Sequence, residues 1–335
     1  MSASRKPSIF FLAGLFFSSA LFSADLGFRV YGALGYADGG DLNRMISGWR
    51  SYYQDRQGDG FSYSYDLEEM HGTVEFGVEA VLALSRRFSL SLGVGYIHQR
   101  TSGEITTQTN LHEDVIVSAT ERWTIDFEQT TEQSPVYTKS TIPITLSLDY
   151  SLALNARWTL TLGGGGGIYL GNLDLLESYA IDSESINEQL TGNGPVQYID
   201  RHTTVGDYSE KTKSTGLGLH GRIGLDLKLS PSSCLSISVL GRWVNMKNWK
   251  GTRHDAYEWQ WTYGLWGANS AEGTEERSED GRYWTYDMYD EKSGKSYRIL
   301  SFRDTEPSPP SKPANFNLSG ISIRAGISVR FGGRD

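Results

Sequence analysis

The 335-residue chain holds a single cysteine, Cys234, so no disulfide can staple it internally. Beyond its first residues it has no apolar run approaching the roughly 20 residues a helix needs to cross a bilayer. A mean hydropathy of -0.40 likewise excludes a helical membrane protein. Positive charge is not in excess: 31 Lys and Arg face 40 Asp and Glu, and a net charge of -9 argues against a nucleic-acid partner. His71, His98, His112, His202, His220 and His254 form no His-Glu-x-x-His, and no segment has the spaced carboxylates of a Ca²⁺ loop. The run Gly163 to Gly167 lacks the Lys-Ser/Thr of a phosphate loop, and no helical pattern follows it. No metal, cofactor or catalytic residue is therefore expected. His112-Glu113-Asp114 and His254-Asp255 could reach a serine in space, which keeps an outer-rim hydrolase as an alternative.

What is present begins with Arg5 and Lys6, followed by the apolar stretch Ile9 to Phe22 and small residues at Ala20 and Ala24. That order is the signature of a secretory signal peptide over residues 1–24, cleaved after Ala20 or Ala24 and leaving a domain over 25–335. An N-terminal membrane anchor is the alternative.

Eight stretches then alternate apolar and polar residues with the period of two that marks strands. One row is nearly all aliphatic or aromatic, as in Val74, Phe76, Val78, Ala80, Leu82 and in Ile321, Ile323, Ala325, Ile327, Val329. The opposite row mixes Gly and Ser with full charges: Arg29, Glu75, Glu79, Asp149, His220, Arg222, Asp226, Lys228, Arg242, Arg324 and Arg330. Short turns at Ser85-Arg86-Arg87, Asn155-Ala156-Arg157 and Ser230-Pro231-Ser232-Ser233 alternate with long connections over 38–70, 101–141, 171–215 and 247–315. All the long connections thus fall on one side. A soluble sandwich or lipocalin-like barrel has no reason for this, whereas a barrel of a bacterial outer membrane has short periplasmic turns and long outer loops. Phe88, Trp158 and Phe331 at the short-turn ends, with Tyr36, Tyr96 and Trp243 at the other, would form the two aromatic girdles. The expectation is an all-β, eight-stranded antiparallel up-and-down transmembrane barrel with four long extracellular loops and both termini periplasmic. Ten strands would result if loop hairpins joined the wall.

The final stretch carries one more specific pattern. Arg324, Gly326, Val329 and Phe331 match the polar, glycine, hydrophobic, aromatic spacing that insertion machinery reads in terminal barrel strands, although Gly-Gly-Arg-Asp follows the aromatic. In layout and in this signal, the chain from Asp25 to Phe331 resembles the small outer-membrane barrels of the OmpA/OmpX-like superfamily. The resemblance implies outer-membrane lipid, lipopolysaccharide and the insertion machinery as partners. It also allows a narrow ion channel, if the inward charges do not pair into a plug.

The long connections hold seven of the nine tryptophans: Trp49, Trp123, Trp249, Trp259, Trp261, Trp266 and Trp284. Each connection is net acidic and the remainder of the chain is net basic. The aromatics either knit the loops into a folded cap or present a contact surface for an extracellular ligand or protein. Alternation at Trp123, Ile125, Phe127, and between Tyr283 to Tyr286 and Tyr297 to Phe302 with a tip at Glu291 to Ser296, favours the cap. Pro307, Pro309, Pro310 and Pro313 would stiffen the lead into the last strand. Acidic loops could also hold divalent cations shared with lipopolysaccharide phosphates. The expected function is non-enzymatic: surface interaction or ligand binding by the loops and envelope integrity from the barrel.

Overall fold

The computed structural model describes residues 26–331 apart from 59, 119–120, 192–193 and 309; the signal segment 1–24, Pro309 and the four residues after Phe331 lie outside them. The elements are β1 (Leu26–Ala37), α1 (Asp41–Arg56), β2 (Phe61–Tyr65), β3 (Gly72–Ala83), β4 (Phe88–Ser102), β5 (Ile105–Ser118), β6 (Glu121–Ala153), β7 (Trp158–Thr191), β8 (Gly194–Lys228), β9 (Ser233–Asn245), β10 (Lys250–Leu265), β11 (Asn269–Asp290), β12 (Lys295–Arg303), β13 (Lys312–Pro313) and β14 (Gly320–Phe331). All pairings are antiparallel, in one sheet of fourteen strands rather than the expected eight. The hydrogen-bond circuit that closes on itself passes through β1, β3, β4, β6, β7, β8, β9 and β14, and returns to β1. Closure leaves this ring without an open edge, the condition lipid imposes on strands.

The ring is only the lower storey. The strands β6, β7 and β8 run for 33, 34 and 35 residues, roughly 20 more than a tilted crossing of a bilayer requires. Their upper halves leave the ring and pair with new neighbours, giving the order β2–β5–β6–β7–β8–β10–β11–β12. The helix α1 packs against both β12 and β2, so it closes the upper storey where hydrogen bonding stops.

Three of the four expected loops are thus wall. Residues 101–141 and 171–215 are continuations of strands, and 247–315 is mostly β10 to β13. The physical reason lies in the alternation, which does not stop at the aromatic girdle: Leu173, Leu175, Tyr179 and Ile181 keep the period of two far beyond it. The stretch 38–70 is corrected differently, because its centre is a helix. Leu42, Met45, Ile46, Trp49 and Tyr53 recur at helical spacing, and their apolar stripe faces the core.

The helix is fixed at both ends. The backbone N–H and carboxylate of Asp41 bond the carbonyl and N–H of Asn315 at 2.9 Å each. The Gly40 backbone bends at φ 65° and lies so close to Asn315 O that a Cβ could not fit. At the far end Arg56 bonds Asp290 at 2.5 Å, and Asp55 accepts from Lys295 at 2.7 Å and Tyr297 at 2.6 Å. Below the helix, Trp249, Met246, Phe316, Leu318, Val244 and Leu173 form a dry core that fills the passage between storeys.

Outward on the lower storey stand Leu34, Phe76, Leu92, Leu146, Leu219 and Ile323, all exposed. Phe88 against Tyr150 and Phe28 against Phe331 mark the lower edge of this belt, and Phe76 against Tyr96 marks the upper.

Because Trp249 is fully enclosed and its Nε1 donates to Met246 O at 3.0 Å, Trp249→Ala is expected to cost about 3–5 kcal/mol. Trp266, exposed at a turn, should change stability by no more than about 0.5 kcal/mol when replaced by Ala. Thermal or urea unfolding of the two variants in detergent checks this; equal effects would contradict the packing.

Candidate functional site

Seven of the eleven inward residues of the lower storey, Arg29, Glu75, Glu79, Asp149, Arg222, Arg242 and Arg324, meet in one cluster. Arg222 lies between two carboxylates, with Nη1 2.9 Å from Glu79 and a two-point contact to Asp149 through Nε at 2.9 Å and Nη2. Glu79 also accepts from Arg29 at 2.9 Å and lies 3.5 Å from Arg324. Glu75 pairs with Arg242 and stands 3.4 Å from Arg324, whose guanidinium lies 4.2 Å from the centre of the Tyr31 ring. The glycine run makes this geometry possible. Gly163 pairs with Asp149 on one side and Arg222 on the other, and any Cβ there would collide with the Asp149 carboxylate.

The remaining inward residues are not all in the cluster. His220 shares a 2.6 Å hydrogen bond with Ser147, and Asp226 accepts from Thr161 at 2.6 Å. Lys228 is exposed; Arg330 is exposed too and lines the lower mouth with Arg29, Arg86, Arg87 and Asp226, around a cavity of about 530 Å³. Above that mouth the lumen shuts. Between the arginine cluster, Tyr169 and Leu240 only about 10 Å³ is free, too little for a row of waters.

The four residues of the expected assembly signal sit on β14. Arg324 and Gly326 face inward, whereas Val329 and Phe331 face outward, the latter edge-on to Phe28 at 6.0 Å.

The seven tryptophans do not form one surface. Trp249 and Trp284 are buried, Trp266 stands alone at a turn, and Trp49 lies on α1 stacked on Tyr53 at 5.7 Å. Trp123, Trp259 and Trp261 do share a face. The register places them on rows that continue the lumenal face upward, with Trp123 stacked on Tyr198 and Trp261 on Tyr263.

At the foot of that face lies an open cup of about 480 Å³ that the sequence expectations missed. Leu42, Met45 and Trp49 of α1 wall one side; Tyr137, Leu175, Tyr179, Tyr208, Tyr283 and Phe302 wall the other. Four charged side chains enter it: Glu177, Glu210, Arg253 and Asp255. Arg253 is already engaged, at 2.9 Å from Glu210 and 3.0 Å from Glu279, with its guanidinium over the rings of Tyr208 and Phe302 at 4.9 and 5.3 Å. Glu210 also accepts from Tyr208 and Tyr283, and burial still raises its pKa. Glu177 accepts only from Gln133, at 3.0 Å, and Asp255 from Tyr179, also at 3.0 Å. Burial without a cation beside it pushes Glu177 up to about 7. The signal in the sequence was a lone acid in an apolar row, Leu173-x-Leu175-x-Glu177-x-Tyr179-x-Ile181.

Lys139 was missed as well. It is buried between the storeys, where its Nζ donates to Phe316 O at 3.1 Å and Asn317 O at 2.8 Å. Desolvation draws it down to about 7. Of the loop histidines, His112 bonds Asp126 at 2.6 Å on an exposed hairpin, and His254 lies 3.5 Å from Glu276. Among the described residues no group of three His, Cys, Asp or Glu could hold a metal ion.

No family model matches the chain, and no curated protein matches it in sequence. Solved structures similar to it include the outer membrane protease OmpT from Escherichia coli, at 9% identity over 92% of this chain and 96% of that one, with a TM-score of 0.24. An outer membrane channel from Pseudomonas putida F1 gives 12% identity over the same shares, with a TM-score of 0.19. A FadL homologue from Pseudomonas aeruginosa gives 8% over 92% and 90%, with a TM-score of 0.16. Likeness of this degree carries no argument about family or activity.

Two outcomes follow from the charges. Arg222→Leu strands the buried Asp149 and takes one of three arginines from Glu79, and should cost about 3–5 kcal/mol in unfolding experiments, against about 0.5 kcal/mol or less for Lys228→Gln. Glu177 binds a proton more tightly folded than unfolded, so its contribution to stability is present at low pH and is lost as pH rises through about 7. Glu177→Gln should therefore flatten the decline in melting temperature between pH 5 and 8, and stabilise the protein at pH 8 by up to about 3 kcal/mol. An unchanged slope would place the carboxylate in water.

Proposed function

We propose that this chain is a non-enzymatic bacterial outer-membrane β-barrel. In this reading its lower storey sits in lipid beneath lipopolysaccharide and its upper storey is an extracellular ligand-binding cup. Both termini are then periplasmic, and β14 carries the signal for the insertion machinery. The observation that bears the reading is the pairing of two opposites in one ring. Its outer face is a continuous apolar belt edged by aromatics, while its inner face is charge paired with charge. A folded chain in water would reverse those faces. The ring of eight strands supports kinship with the small OmpA/OmpX-like barrels; the tall upper storey sets the chain apart from their layout.

The sealed lumen weighs against a channel. Passage would require parting Arg222 from Glu79 and Asp149 and then crossing the packed side chains around Trp249. The hydrolase alternative has little to stand on in the lumen, where the Ser147–His220 pair has no carboxylate on its second ring nitrogen and no room for a substrate.

Purified protein should stay monodisperse only in detergent, shift in mobility on heating in gels, and give no steady conductance steps in planar bilayers. Monodisperse behaviour in plain buffer would sink the membrane assignment, and regular conductance steps would sink the plug.

A further inference from the structure

The cup between α1 and the tall sheet has a chemical bias that goes beyond ligand binding in general. We propose that it takes a small organic cation, an amine or guanidine with an apolar body, whose charge lies against Glu177 and Asp255 and whose body lies against Trp49, Tyr137 and Tyr179. This rests on the reading of the upper storey as a binding cup and names its ligand class.

The charges in the cup do not balance. Three carboxylates enter it and one cation does, and that cation is fully used by Glu210 and Glu279. Glu177 and Asp255 are left with neutral donors only, Gln133 and Tyr179. An anion would be repelled from this wall, and a neutral apolar guest would desolvate the two carboxylates without compensating them. A cation compensates both.

The cup also shows how such a group is held. The guanidinium of Arg253 lies over Tyr208 and Phe302 while bonding Glu210, a ring-and-carboxylate cage already occupied by a tethered cation. Glu177 lies next to Tyr208 in the register, and Tyr179 bonds Asp255, so a second set of rings and carboxylates stands beside the first without a cation in it. The volume of about 480 Å³ suits a small molecule.

The groups facing Glu177 are Glu210 on β8, Arg253 and Asp255 on β10, Tyr137 on β6 and Tyr53 on α1. None of the tyrosines titrates near neutrality, because burial raises Tyr53 and Tyr137 alike. Between pH 6 and 8 the cup's affinity should follow Glu177, falling up to tenfold for each unit below about 7 as that carboxyl takes up its proton.

The test is calorimetric titration of the full-length folded protein in uncharged detergent at pH 8. The probes are 2-phenylethylammonium, its neutral isostere 2-phenylethanol and the anion phenylacetate. The ammonium should bind at least tenfold tighter than the alcohol, and the anion should not bind. Glu177→Gln and Asp255→Asn should each weaken the ammonium tenfold or more and leave the alcohol unchanged, with heat-modifiability on gels showing that both variants are folded. Equal binding of ammonium and alcohol, or indifference of the ammonium to both substitutions, overturns the cation assignment while the cup survives. Silence of all three probes overturns the cup along with it.

Discussion

Arg222 is held inside the ring with almost no access to solvent, and it survives there because Glu79 and Asp149 reach it from two other strands. Removing such a group from water costs several kcal/mol per ion, and only well-placed partners return it. The same demand runs outward through the cluster. Glu79 needs Arg29, Glu75 needs Arg242, and Arg324 spans both acids. Apart from Arg29–Glu79, which joins neighbouring strands, each pair links strands that are not hydrogen-bonded to each other, so the set is complete only when the ring is closed. Closure and charge satisfaction are therefore one event: an open sheet would leave backbone groups unpaired at its edge and arginines unpaired on its face.

The ring in turn positions the cup. Because β6, β7 and β8 are continuous from the lower mouth to the hairpin tips, the lumenal face of the barrel and the inner face of the upper storey are one surface. Its character changes with height, from arginine–carboxylate pairs to a dry plug of Met246, Trp249 and Phe316, and then to aromatic rings with scattered acids. The plug separates the two polar regions, so a guest in the cup has no open path downward. Lys139 joins the storeys at that level by tying the segment ahead of β14 to the wall.

Much of this was legible in the sequence, and the parts that were not have physical reasons. The period of two marks the eight ring strands and their charged row, because one face is almost wholly apolar and the other carries the full charges. Which acid meets which arginine depends on register across three strands, and alternation alone cannot supply it. The upper strands read as loops when polarity is weighed above period: Thr, Ser, Gln and Glu fill much of the outward row of β5 to β8. The helix is hard to read for a similar reason, since its stripe of Leu42, Met45, Ile46, Trp49 and Tyr53 is short and set among charged residues. Tryptophan count was a poor guide to a surface, because Trp249 and Trp284 serve packing and Trp266 stands by itself.

The contrast between the two sets of enclosed carboxylates bears most on function. Glu75, Glu79 and Asp149 each meet an arginine that reaches them from another strand of the ring. Glu177 and Asp255 are enclosed by the same sheet, one storey higher, and face a glutamine and a tyrosine. Stability gives no reason for the difference, since an unpaired carboxylate in a half-buried wall costs free energy that a Gln or Leu would not. In the lower storey each buried acid meets an arginine of the chain, and Asp226, at the open mouth, accepts from Thr161. In the cup the explanation has to come from outside it, from a group that arrives with its own positive charge.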